Sequence, residues 1–186
     1  MIHKIICMTA LCIASAASLA ADVGGVKLDD KLSVGGQELV LNGAGIRTRM
    51  MFKVYVGSLY VPAKAATAAA VYAKAPRRVQ LNMLRDVGAD QMTEALSDGL
   101  KQANTPAEAA AVKGEFDQLA AILKAIGPLK EGNVLTFDFA DGAMKVSVNG
   151  GAKGSIPGEA FNKALLNAWL GDNPVQPDLK KAMLGG

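Results

Sequence analysis

Thiols and imidazoles are almost missing from this sequence. It holds two cysteines and one histidine, and all three (His3, Cys7 and Cys12) sit in its first twelve residues. Beyond them a Cys or Ser-His nucleophile system cannot be built. Neither can a zinc site of histidine and cysteine, nor a disulfide. Aromatic residues are few, at 5%, so the core must rest on many small aliphatic contacts. Charge of one sign is lacking too. A net charge of +3 gives no electrostatic case for nucleic acid. Acidic pairs such as Asp29-Asp30 have no apolar frame, which argues against a glycosidase pair, and no spaced acidic loop suggests calcium. We expect neither metal nor cofactor.

The first twenty residues stand apart. Met1–Lys4 is positively charged, Ile5–Leu19 is apolar or small, and Ser18-Leu19-Ala20 fits the small-x-small rule for cleavage before Ala21. This reads as a secretory signal peptide, residues 1–20. The apolar run is short for a membrane span, and no lipid-attachment box surrounds Cys7 or Cys12. The expectation is export to the periplasm, no stable membrane insertion after cleavage, and one domain over residues 21–186. Export removes every cysteine and the histidine together with Lys4.

Charge, aromatics and strand formers come together at length in one stretch, Gly43–Val61. Its first half is glycine-rich and carries Arg47 and Arg49. Its second half alternates. Phe52, Val54 and Val56 are predicted on one face, and Lys53, Tyr55 and Gly57 on the other, as in a half-buried strand. Before it, Gly35-Gly36 reads as a hairpin turn between Lys31–Val34 and Gln37–Leu41, and Asn42–Gly45 as a glycine corner.

After it, Thr67 is predicted to cap a short helix, and Val79, Leu81 and Met83 mark one face of a strand over 77–84. A helix over 90–103 aligns Met92, Leu96, Gly99 and Ala103. Thr105-Pro106-Ala107-Glu108 is a capping box with proline at the first helical position. It opens a helix whose stripe runs Val112, Phe116, Leu119, Leu123 and Ile126 to Gly127-Pro128. Asp141-Gly142 is a hairpin turn between two strands, and Asn149–Gly154 a further corner. A last long helix follows Gly158, with Trp169 near its end, then a short one near the C-terminus. Hairpins dominate and strict strand–helix alternation is absent, which favours an α+β layout with an antiparallel sheet under helices.

Arg47 and Arg49 present permanent cations with planar forks, suited to clamp an anion or an enolate, or simply to sit solvated beside a strand. Tyr55 can donate a hydrogen bond or a proton to a bound oxygen, or serve as an amphipathic strand residue. Arg85 and Asp86 can orient a ligand or each other. Trp169 reads as a core anchor rather than a ligand platform.

The run NGAGIRTRMMFKVYVGSLYVP resembles the signature of the chalcone isomerase-like superfamily in its bacterial exported branch. The C-terminal IPGEAFNKALLNAWLGDNPVQPDLKKAMLG is similar to the closing motif of that branch. The resemblance spans about Lys27 to Gly185. It implies an open-faced β-sandwich, a large antiparallel sheet packed on helices with a cleft between. Plant members cyclise chalcones, and related non-catalytic members bind fatty acids. Carried over residue by residue, the catalytic arginine falls on Arg47, and the threonine of the following strand on Tyr55. The active-site tyrosine falls on Met92, and the asparagine seven residues later on Gly99. Met92 cannot donate a hydrogen bond and Gly99 has no side chain.

One cation in an apolar cleft suits a carboxylate better than a guided ring closure. The resemblance therefore implies a periplasmic binding protein for a small amphipathic or fatty-acid-like molecule, with Arg47, Arg49, Tyr55, Met92 and Gly99 as ligand-binding residues. The alternatives are an isomerase on an enone-like substrate, with Arg47 and Tyr55 catalytic, and a non-catalytic interaction protein of the envelope. Oligomeric state stays open.

Overall fold

The computed structural model describes residues 21–73 and 75–186, so the signal-peptide expectation lies outside the described residues. The described residues form nine strands and six helices with their connections. A small hairpin, β1 (Ala21–Val23) and β2 (Val26–Leu28), precedes the main sheet. That sheet runs β3 (Lys31–Val34), β4 (Gln37–Arg49), β5 (Phe52–Val61), β6 (Arg77–Met83), β7 (Val134–Ala140), β8 (Ala143–Val148) and β9 (Gly151–Pro157). Strand order follows chain order and every pair is antiparallel. Turn chemistry sets much of this. Gly35-Gly36 and Asp141-Gly142 both take positive φ at two successive residues, as a two-residue hairpin turn matched to strand twist requires.

Helices α1 (Ala68–Tyr72), α2 (Ala89–Ala103), α3 (Pro106–Ala111), α4 (Lys113–Ile126), α5 (Glu159–Leu170) and α6 (Pro177–Met183) complete the chain. Eight of the twelve residues of α5 are buried, which makes it the central helix of the layer. Its Phe161, Leu165 and Trp169 pack on sheet residues such as Leu81, Phe137 and Val146. Each such side chain contributes about 1.5–3 kcal/mol by leaving water. The opposite face of β3–β5 is closed by the β1–β2 hairpin, whose Leu28 packs with Leu39, Val56 and Tyr60. This curled antiparallel sheet against helices is the expected α+β open-faced β-sandwich.

Three local expectations are corrected. Asn42–Gly45 is no corner but the interior of β4, a strand of 13 residues. Its glycines serve close packing, as shown below. The predicted helix after Thr105 is two helices, broken at Val112 (φ −109°, ψ 16°). The capping box does start α3: Thr105 Oγ1 accepts from Glu108 N at 3.2 Å, and Glu108 Oε2 accepts from Thr105 N at 2.9 Å. But α3 buries nothing, whereas Val112 and the α4 residues Leu119 and Leu123 are buried. Core burial thus redirects the chain at the β-branched residue. Finally, the 149–154 corner is a two-residue turn at Asn149-Gly150 followed directly by strand β9.

Candidate functional site

The β4–β5 hairpin is the frame of the site. Its register is not continuous. Arg47 pairs with Tyr55, but Thr48 pairs with Lys53, so Val54 is an extra residue in β5. Such a β-bulge reverses which residues share a face. The strict alternation predicted from sequence therefore fails at this point. Phe52 joins Tyr55, Arg47 and Arg49 on the side toward the helices, and Lys53 is turned away. Nor is β5 half-buried: from Tyr55 to Val61 both of its faces are covered.

The bulge opens a cavity of about 370 Å³ between the hairpin and the helices. Arg47, Arg49, Tyr55 and Met92 all line it, together with Phe52, Val54, Leu96, Ala168, Trp169 and Val175. Four of the five residues singled out from sequence are thus brought to one cavity. Gly99 is not among its lining residues. A Cβ there would lie 2.8 Å from Val175 Cγ1 and 3.2 Å from Ala168 Cβ, so its missing side chain lets α2 sit close to α5 and to Val175 behind the wall.

Arg47 and Tyr55 stand side by side in the cavity lining, as cross-strand partners of β4 and β5. Trp169 Nε1 donates to Tyr55 Oη at 3.0 Å, and both residues are buried. The Tyr55 oxygen is thereby an acceptor, with Arg47 beside it. Burial pushes the Tyr55 hydroxyl above its ordinary pKa, opposed less strongly by the Trp169 N–H and the Arg47 charge. Tyr55 therefore keeps its proton through neutral pH. Arg47 Nη1 donates to Thr48 O at 2.6 Å and to Gln176 Oε1 at 3.2 Å. Among the described residues the guanidinium is braced by neutral acceptors and makes no ion pair. Arg85 lies over the Phe52 ring, 4.7 Å from its centre. Asp86, paired with Arg85 in the sequence reading, is instead held by Lys130 Nζ at 2.8 Å and Glu131 N at 2.9 Å. Those bonds hold its carboxyl below the usual range.

Gln176 was missed from sequence. At the start of α6 it accepts from Thr48 N at 2.9 Å and donates to Ile46 O at 3.1 Å, so one side chain fixes the strand on both sides of Arg47. The glycines explain how α6 gets there. A Cβ on Gly43 would lie 2.1 Å from Ala182 O, and one on Gly45 2.8 Å from Ala182 Cβ. The β4 glycines thus form a seat for the C-terminal helix, not an approach for a ligand. Asn42, the extra residue of a second bulge, locks that seat. Its Nδ2 donates to Ala65 O (2.9 Å) and Met183 O (2.8 Å), and its Oδ1 accepts from Ala65 N (2.7 Å). The only hint in sequence was that both motifs of the family likeness, the 42–62 run and the C-terminal run, supply the two halves of this contact.

A curled antiparallel sheet, a helical layer on one face, and a cavity lined by arginines and one tyrosine hydroxyl define the class: an open-faced β-sandwich with a small-molecule-sized cavity. The chain belongs to the chalcone isomerase-like family, whose profile matches residues 20–185. No curated protein sequence matches it. Among solved structures it is similar to the crystal structure of an Arabidopsis thaliana fatty-acid binding protein, AtFAP1. The similarity has 12% identity and a TM-score of 0.66, over 86% of this chain and 92% of that one. At that identity the likeness is one of fold.

Proposed function

We propose that this protein binds a small amphipathic acid, of the fatty-acid type, without transforming it. The observation that carries the reading is the polarity of the cavity. Apolar Val54, Met92, Leu96, Ala168 and Val175 line it together with Arg47 and Tyr55, which are cross-strand partners, and the lining also includes Asp86 and Glu94. A carboxylate accepts from both donors, and an acyl chain lies along the apolar wall. A volume of about 370 Å³ is near the lower end for small-molecule sites, which favours a short or medium chain. The solved relative with this fold carries fatty-acid binding in its title, which supports the same class of ligand. The reading of residues 1–20 as an export signal supports a periplasmic setting for this binding.

An isomerase reading would use the same Arg47 on an enolate and Tyr55 as its acid. A tyrosine whose pKa is raised gives up its proton reluctantly, and Met92 replaces a polar group of the catalytic members with a thioether. Both features favour holding over turning over. A flavanone-forming assay is expected to show no turnover, and turnover would revive the isomerase.

Trp169 is the only tryptophan and forms part of the cavity wall, so its fluorescence reports the site directly. Titration with decanoate is expected to give a saturable change at one equivalent. Arg47→Met should weaken it roughly tenfold to a hundredfold, the worth of a charge-assisted hydrogen bond. No saturable change, or equal affinity in Arg47→Met, would overturn the reading.

A further inference from the structure

The tip of the β4–β5 hairpin departs from local rules in two ways at once. Met50 and Met51 form its two-residue turn, with φ of +48° and +68°. Turns of this kind favour Asn-Gly, because a bulky side chain at positive φ is strained. The chain's other tight turns obey this: Gly24-Gly25, Gly35-Gly36, Asp141-Gly142 and Asn149-Gly150. Here two long apolar side chains stand instead, exposed among the described residues. Met50 is 81% exposed, Met51 94% and Phe52 60%, the large hydrophobic residues that stand exposed among the described residues. Backbone strain and apolar exposure at one point mark a surface made for contact outside the chain.

The charges around the tip say what kind of contact. Arg49 and Lys53 flank the three apolar residues in sequence, and Arg85 stacks on Phe52. None of the three enters an ion pair among the described residues, where the pairs involve Lys31, Arg78, Lys113 and Lys130. Two carboxylates also line the cavity. Asp86 is already held by Lys130, and Glu94 lies on α2. An apolar point within a ring of unpaired cations complements the interface of an anionic bilayer, with acyl chains for the former and phosphates for the latter. Arg49, Met50, Phe52 and Arg85 also line the cavity, so the same tip borders the site described above.

We propose that the β4–β5 tip docks on the surface of an anionic lipid bilayer, with Met50, Met51 and Phe52 entering the interface and Arg49, Lys53 and Arg85 meeting lipid phosphates. Docking goes beyond the ligand reading and can be measured without free ligand, so either can fail while the other stands.

Flotation of the purified protein with phosphatidylglycerol–phosphatidylcholine vesicles tests it. Binding is expected to the mixed vesicles, to be weaker on pure phosphatidylcholine, and to fall as salt is raised from about 0.1 to about 1 M. Met50→Asn/Met51→Gly installs residues suited to the turn. It should melt no lower than the parent yet bind vesicles about tenfold more weakly or worse. Arg49→Gln and Lys53→Gln should each cost about fivefold. Parent and variants are recovered after export and cleavage before Ala21, so the apolar residues 1–20 take no part in the binding. If the parent stays with the lipid-free fraction at every lipid concentration, or the turn variant floats as well as the parent, the proposal is wrong. The tip would then belong to a protein partner or a second copy.

Discussion

Gly43→Ala is expected to damage both the fold and the site, although it adds one methyl group to a strand. The new Cβ would stand 2.1 Å from Ala182 O, 2.9 Å from Gly185 N and 3.0 Å from Met183 O. All three are backbone atoms, so no rotamer change relieves the contact. A carbon–oxygen separation of about 3.3 Å requires the C-terminal segment to retreat by roughly 1 Å. That stretches the 2.8 Å bond from Asn42 to Met183 O and loosens Leu179 and Met183, both fully buried. Overpacking and one weakened hydrogen bond cost about 2–4 kcal/mol together. Alanine offsets about 0.4–1 kcal/mol by restricting the unfolded chain. The net loss, about 1–3 kcal/mol, lowers Tm by roughly 2–12 °C in a domain of this size. Calorimetry measures it. Because Gln176 rides on α6, decanoate affinity read through Trp169 should fall as well. A Tm unchanged or raised would refute the seat that the glycines are argued to form.

Asn42→Ala strips three buried hydrogen bonds at once and should cost about 2–4 kcal/mol in urea unfolding, with an unchanged m-value. Gly99→Ala brings a Cβ within 2.8 Å of Val175 Cγ1, a side chain that can move only at the expense of the cavity it lines. Decanoate affinity should drop severalfold while Tm moves little, and unchanged affinity would count against Val175 as a wall. Burial raises the pKa of all three tyrosines. Tyr60, near Asp29, and Tyr72, near Asp172, are pushed up to about 12, and Tyr55 is raised as well. Each folded pKa exceeds the unfolded one, so the unfolded state releases protons first. Stability is therefore full below about pH 10 and falls as pH rises from about 10 towards 12. Absorbance at 295 nm should show no tyrosinate at pH 10 until the protein unfolds.

Much of this architecture could be read from residue patterns, because turns and caps act locally. Gly35-Gly36, Asp141-Gly142 and the Thr105–Glu108 box each carry their own chemistry, and each sits where it was placed. Arg47, Arg49, Tyr55 and Met92 were found through residue type and family likeness, and all four border one cavity. What escaped is non-local. The bulge at Val54 leaves no mark in the sequence, since a period-two pattern runs straight through it, and so Phe52 was assigned to the wrong face. The 43–45 glycines looked like a corner because glycine in a strand and glycine in a loop read alike until the helix that packs on them is known. Gln176 acts across 128 residues on Thr48, a distance at which spacing says nothing. Val112 carried the apolar period of a continuous helix, yet its burial breaks that helix in two.

Bromine-labelled decanoic acids address the central claim most directly, because bromine quenches tryptophan fluorescence on contact. With the carboxylate held at Arg47 and Tyr55, and Trp169 bonded to Tyr55, a bromine near the carboxyl end should quench Trp169 far more than one at the far end of the chain. Arg47→Met should abolish that difference. Absence of quenching from either label, or equal quenching from both in the parent protein, would contradict an acid held by its head group in this cavity.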